Sequence, residues 1–215
     1  RFGIAKNGYN LVSNQFSTHY FFENRNTFYN FIRNLSENCK IGGHIMGTCY
    51  DGKRVFNMLE RKKQGESVFI MNENDTKMWD VKKLYNKSTF PDEESSLGYP
   101  IDVYQESINT TNTEYLVNFD FFTRVLENYG FVPITDDEAH RMGFPTAIGS
   151  FETLFDNMKE EIESGKIDKA DVGKALNMSN EEKTISFLNN YYIFKKIRNE
   201  NEKEITDRIL YITEE

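Results

Sequence analysis

The stretch that decides the fold runs from Tyr9 to Cys49. It opens with Tyr9-Asn-Leu-Val-Ser-Asn14, continues through Gln15-Phe16-Ser17-Thr18-His19-Tyr20, and closes with Gly42-Gly43 and His44-Ile-Met-Gly-Thr-Cys49. The first piece is a short apolar run entered from a Lys6-Asn7-Gly8 turn, and it reads as a buried strand. Phe28, Phe31, Ile32, Leu35 and Cys39 recur at i, i+3, i+4, i+7 and i+11, one face of a helix. Gly42-Gly43 is expected to stop that helix, as a glycine past the last turn does. His44 to Cys49 then predicts the next strand. Strand, helix and strand with short joints make a βαβ unit, which predicts an α/β fold with a mostly parallel sheet and helices on both faces.

Outward from this unit, Asp51 to Lys62 predicts an amphipathic helix with Val55, Phe56, Met58 and Leu59 inward. Strands are expected over 67–72, 77–85 and 101–107, and around Glu114-Tyr115-Leu116-Val117. Asn118 can cap a helix that runs to Tyr129, Gly130 ends it, and 131–135 is a further strand. Residues 136–150 read as loop, 151–164 as a helix and 166–176 as a shorter one. Ser179-Asn-Glu-Glu182 is a capping box, and 185–197 turns strand-like around Tyr191-Tyr192-Ile193-Phe194. The tail is polar, with a small apolar patch at Ile209-Leu210-Tyr211-Ile212. No repeat or low-complexity linker divides residues 1–215, so a single domain is expected.

Composition narrows the function. At 215 residues the chain can bury a substantial core. Its net charge of −8 argues against tight, charge-driven binding of long RNA, but allows a ligand read through one base and a few phosphates. Aromatics make up 14% of residues, enough for both a core and stacking surfaces. Cys39, assigned to the helix, and Cys49, just after a strand, have no metal-ligand spacing and form no disulfide framework, so a reducing compartment is expected. No apolar run approaches membrane-spanning length. The chain starts at Arg1 without Met, so residue 1 is not expected to be the natural start.

Three stretches, in order, resemble the mRNA cap guanine-N7 methyltransferases. They are NLVSNQFSTHYFFEN with IGGHIMGTCYDGKRVFNML, then IDVYQESINTTNTEYLVNFDFFTRVLENYGF, then MSNEEKTISFLNNYYIFKKI. The first is similar to the family's Q-F-x-x-H-Y and P-G-G-x-x-I-G-T motifs. The second is similar to its segment with an acidic residue before an aromatic-aliphatic strand, and the third to its closing helix and strand. The spelling is closest to capping enzymes of large DNA viruses.

The resemblance implies a class I, Rossmann-like methyltransferase fold using S-adenosylmethionine. Methyl transfer would go to N7 of the mRNA cap guanine, and the chain would be the C-terminal portion of the domain. Gln15 resembles the residue that contacts the methyl donor. Phe16, His19 and Tyr20 resemble residues around the guanine. Glu114 resembles the carboxylate that accepts from guanine N1 and N2, and Tyr191 an aromatic lining the same pocket, with Tyr192 one register away.

No residue need act directly in catalysis, and no metal is implied. Guanine N7 already carries a lone pair, so alignment and electrostatics suffice, with His19 and Glu114 in support. The family's glycine-rich D-x-G-x-G loop lies upstream of the first motif, and this sequence has no room for it before Tyr9. The donor-binding strands are therefore expected elsewhere, and the chain alone is expected to bind the donor poorly.

Implied partners are the capped mRNA 5′ end and the upstream half of the same domain, with triphosphatase and guanylyltransferase domains in the same polypeptide. A virus-like enzyme would work in the cytoplasm, with packaging in the virion, and a cellular one in the nucleus. The missing loop also motivates an alternative, a non-catalytic cap-binding or stimulatory subunit of a capping complex. A methyltransferase for another acceptor is a third class. Ribose enzymes need a lysine-centred tetrad, which has no counterpart at these strand ends. Lys53-Arg54, Arg61-Lys62-Lys63 and Lys82-Lys83 read as solvated faces, and His44 and His140 have no evident partner.

Overall fold

A computed structural model describes residues 6–72 and 74–211. Among these residues, two sheets and seven helices alternate along the chain. Strand β1 (Tyr9–Gln15) pairs in parallel with β2 (Cys39–Tyr50), and α1 (Arg25–Asn38) crosses between them, as the βαβ reading requires. Asn24 starts α1 by accepting from the Thr27 N–H at 3.0 Å. Phe28, Phe31, Ile32 and Leu35 then bury the predicted face. Each buried side chain of this size contributes about 1.5–3 kcal/mol.

Gly42 and Gly43 do not stop the helix, and Cys39 is not in it. Helix α1 ends at Asn38, Cys39 opens β2, and both glycines lie inside that strand. The β1–β2 register jumps from Tyr9–Cys39 to Leu11–His44, and Gly42, at φ 76°, absorbs the extra β2 residues as a bulge.

Helix α2 (Gly52–Met58) is capped by Asp51 and leads to a second sheet. That sheet is antiparallel: β3 (Ser67–Met71), β4 (Lys77–Lys83), β5 (Pro100–Gln105) and β6 (Thr110–Tyr115). Its end returns to the first sheet, where the Gly52 N–H donates to the Val117 carbonyl at 2.9 Å. Helix α3 (Phe119–Asn128) is capped by Asn118, as expected. Strands β7 (Phe131–Pro133) and β9 (Asn189–Lys196) extend the first sheet in the order β1-β2-β9-β7, and β8 (Ile148–Ser150) joins it as a fifth strand paired with β9, all antiparallel beyond the β1–β2 pair. One parallel ladder is thus present among the described residues, because β9 runs antiparallel to each strand it pairs with. Helices cover both faces: α1 and α3 share one apolar cluster, and residues from 134–154 pack with Tyr191 and Ile193 on the other face.

The stretch expected to be loop holds two elements, α4 (Asp136–Arg141) and β8 (Ile148–Ser150). A Thr135/Glu138 capping box starts α4, and β8 is too short to show alternation. Helix α5 (Phe151–Glu163) is followed by two 3-10 turns, Lys169–Val172 and Ala175–Asn177, in place of the expected second helix. The Ser179 capping box opens α6 (Asn180–Ser186). The polar tail is α7 (Glu202–Tyr211), anchored where the buried Thr206 and Tyr129 hydroxyls meet at 2.8 Å. Ile212 lies outside the described residues. Lys83 is not on a solvated face: it is buried, donates to the Leu59 carbonyl and sits over the Tyr85 ring. No described helix is long and apolar enough to cross a membrane.

Candidate functional site

The carboxyl end of β1 builds one wall of a pocket of about 360 Å³. Phe16 follows the strand in the left-handed conformation, at φ 49°, unfavourable for a residue with a Cβ. Its N–H donates to the Thr48 carbonyl at 2.8 Å, which fixes the turn, and its ring is 54% exposed. A 3-10 turn, Thr18–Phe22, then presents His19 and Tyr20. Thr18 anchors this turn. Its hydroxyl accepts from Asn14 Nδ2 at 3.0 Å and meets the Tyr192 hydroxyl at 2.7 Å.

Glu114, on β6, enters from the second sheet. Tyr50 and Gln105, at the ends of β2 and β5, lie beside it, as do Ile108 and Asn112. Phe151, Ile185, Ser186 and Asn189 also line the pocket. The Phe16 and Phe151 rings meet edge-on at 6.0 Å, and His19 lies against Tyr20 at 4.3 Å.

His19 and Glu114 set the electrostatics. His19 Nδ1 and Glu114 Oε2 are 3.6 Å apart, too far for a hydrogen bond. Both are buried, and neither imidazole nitrogen nor Glu114 Oε2 has a partner among the described residues. Burial pushes the histidine down to about 4 and the carboxyl up to about 7. Their proximity suggests an ion pair, but with no hydrogen bond to offset desolvation the neutral histidine wins near pH 7. These are orphaned polar atoms in a site with aromatic walls, the arrangement expected of a ligand pocket.

Phe16, His19, Tyr20 and Glu114 are therefore brought together. Gln15 stands next to them on the exposed edge of β1, outside the pocket wall. Its Oε1 accepts from Thr48 and its Nε2 donates to Ser13, leaving one amide hydrogen without a partner among the described residues. Tyr191 is not in the pocket. It is 3% exposed, its hydroxyl contacts Thr146 at 3.2 Å, and its ring lies over Gly149, where a Cβ would clash. Tyr192 faces the other side of β9 and meets the turn that carries His19 through its hydroxyl contact with Thr18. Gly47 makes that contact possible, because a Cβ there would overlap the Tyr192 hydroxyl. Tyr50, Gln105, Phe151 and Asn189 were not foreseen. Each sits at an element end, where periodicity carries no signal.

Residues 5–197 match the mRNA (guanine-N(7))-methyltransferase domain. The chain belongs to that family. Its methyl donor is S-adenosylmethionine. The free amide hydrogen of Gln15 at the carboxyl end of β1 fits contact with a polar part of that donor. Among curated proteins, the chain is 24% identical over 209 residues to a "Probable mRNA-capping enzyme" of Acanthamoeba polyphaga mimivirus, a viral protein as the motif spelling suggested. The match covers 90% of the chain and 18% of the viral protein, so the chain spans under a fifth of that relative. Among solved structures, it is similar to the CcbJ methyltransferase of Streptomyces caelestis, with TM-score 0.43, 8% identity, and coverage of 92% of this chain and 61% of that one. It is also similar to an S-adenosylmethionine-dependent methyltransferase of Clostridium acetobutylicum, with TM-score 0.36, 9% identity, and coverage of 58% and 48%.

Proposed function

We propose that this chain is the guanine-binding portion of a domain that methylates N7 of the mRNA cap. The observation that carries the proposal is the His19–Glu114 pair, whose polar atoms lie unpartnered in a pocket walled by Phe16, Tyr20 and Phe151. An ionised Glu114 accepts from two adjacent N–H groups, which guanine offers at N1 and N2. The aromatic walls supply stacking, typically about 1–3 kcal/mol per base.

S-adenosylmethionine, when bound, supplies an activated methyl group. The residues of this chain orient the base, exclude water and tune charge. Methylation makes the guanine ring cationic, and the buried Glu114 carboxylate favours that charge. Neutral His19 adds no competing positive charge. Gln15 would contact the donor beside Phe16. The capped 5′ end of mRNA is the proposed partner, with the upstream half of the domain and other capping activities in the same polypeptide. Cytoplasmic action is proposed on the viral similarity.

The test uses the polypeptide that carries the chain, titrated with a GpppG-type cap analogue and assayed for methyl transfer. Binding and methylation that both collapse in Glu114→Ala support the proposal. Binding without methylation points to the non-catalytic cap-binding alternative. No cap binding by the folded protein overturns both.

A further inference from the structure

Tyr50 and Gln105 line the same pocket as Glu114 and have no part in the reading above. They come from the ends of different sheets and meet at the pocket, where Gln105 Nε2 donates to the Tyr50 hydroxyl at 2.8 Å. A phenolic hydroxyl both accepts and donates. Gln105 uses the accepting side, and among the described residues no acceptor takes the Tyr50 proton. The ring is buried, so the hydroxyl cannot swing out into solvent.

The same pocket therefore holds an uncommitted hydroxyl donor and a carboxylate acceptor. Guanine's edge has the complementary order: the carbonyl O6 acceptor lies next to the N1–H and N2–H donors. Adenine carries an amino donor where guanine carries O6, so a fixed hydroxyl proton there would face another proton.

We propose that Tyr50, oriented by Gln105, donates to O6 of the bound base while Glu114 accepts from N1 and N2. The pair would make the pocket specific for guanine. This assignment rests on the proposed base pocket and extends it to a second specificity residue and its positioning partner. Phe16, Tyr20 and Phe151 can stack on any base, so discrimination rests on the polar lining, in which Tyr50 and Glu114 present the order that guanine complements.

The test compares two cap dinucleotides titrated into the full polypeptide. One carries guanine as the capping base, and the other 6-thioguanine, which keeps N1–H and N2–H but replaces O6 with a poor acceptor. Wild type is expected to prefer guanine by about tenfold, the scale of one neutral hydrogen bond. Tyr50→Phe should lower guanine-cap affinity by about tenfold and erase the preference. Gln105→Leu should move both readouts the same way, less far. Glu114→Gln should weaken both analogues while keeping their ratio. If Tyr50→Phe keeps the preference, or wild type binds the two equally, the O6 assignment is wrong. The wild-type comparison stands even where Tyr50→Phe does not fold. Failure of folded wild type to bind either analogue overturns the base pocket itself, and this assignment with it.

Discussion

His19 Nδ1 faces Glu114 Oε2 across 3.6 Å in a buried pocket, with no hydrogen bond between them. In the unliganded protein burial lowers the histidine and raises the carboxyl, so below about pH 7 the carboxyl carries a proton that must leave before it can accept from guanine. A site built in this way is costly to keep and selective when filled.

Cap affinity should therefore depend on pH. The carboxyl is held up at about 7, and the anion is the form that accepts from guanine. Below pH 7 each unit should weaken binding about tenfold, and above it the affinity should level off. Calorimetric titration from pH 5.5 to 8.5 reads this directly. A flat profile in wild type, or an unchanged slope in Glu114→Gln, would count against it.

The same burial predicts a gain in stability on removing the charge. Glu114 has a raised folded-state value, so its penalty is absent below its ordinary value of 4.5 and complete above about 7. At pH 8, Glu114→Gln should stabilise the unliganded protein by roughly 2–3 kcal/mol, and most of the gain should vanish at pH 5. Thermal unfolding at the two pH values checks the sign. A variant better folded yet worse at binding is the expected trade-off.

Phe16 should show a related trade-off, with strain held for function. Its φ of 49° costs about 1–2 kcal/mol, which glycine would relieve. Glycine returns about 0.5–1 kcal/mol as unfolded-state entropy, so Phe16→Gly should leave the melting temperature within a few degrees. Cap affinity should nevertheless fall by the value of a stacked ring, about 1–3 kcal/mol. A large drop in melting temperature would instead mark the ring as structural.

Tyr191 and Tyr192 should separate cleanly. Tyr191→Phe removes a hydroxyl that contacts Thr146 away from the pocket, so cap affinity should stay within about twofold. Tyr192→Phe breaks the buried 2.7 Å contact with Thr18, which anchors the turn carrying His19. It should destabilise the fold by about 1–2 kcal/mol and weaken cap binding as well. Equal effects of the two substitutions would contradict the placement of β9.

The sequence by itself determined the long periodic and well-capped elements and the ordered motifs. The α1 face, the Asn118 cap and the Ser179 box lie where period and cap chemistry placed them, because these signals act over one or two turns. The motifs likewise picked out Phe16, His19, Tyr20 and Glu114, which the structure brings into one pocket. Only the tertiary structure decided the rest. Gly42-Gly43 looks like a helix stop until the register with β1 demands a bulge. Tyr191 and Tyr192 are adjacent and alike in sequence, and only the packing of β9 sends one toward Gly149 and the other toward Thr18. The lining at Phe151, Ile185 and Asn189 and the Tyr50–Gln105 pair join residues distant along the chain. Such contacts depend on how separate sheets meet, and the period and capping of each segment are blind to that.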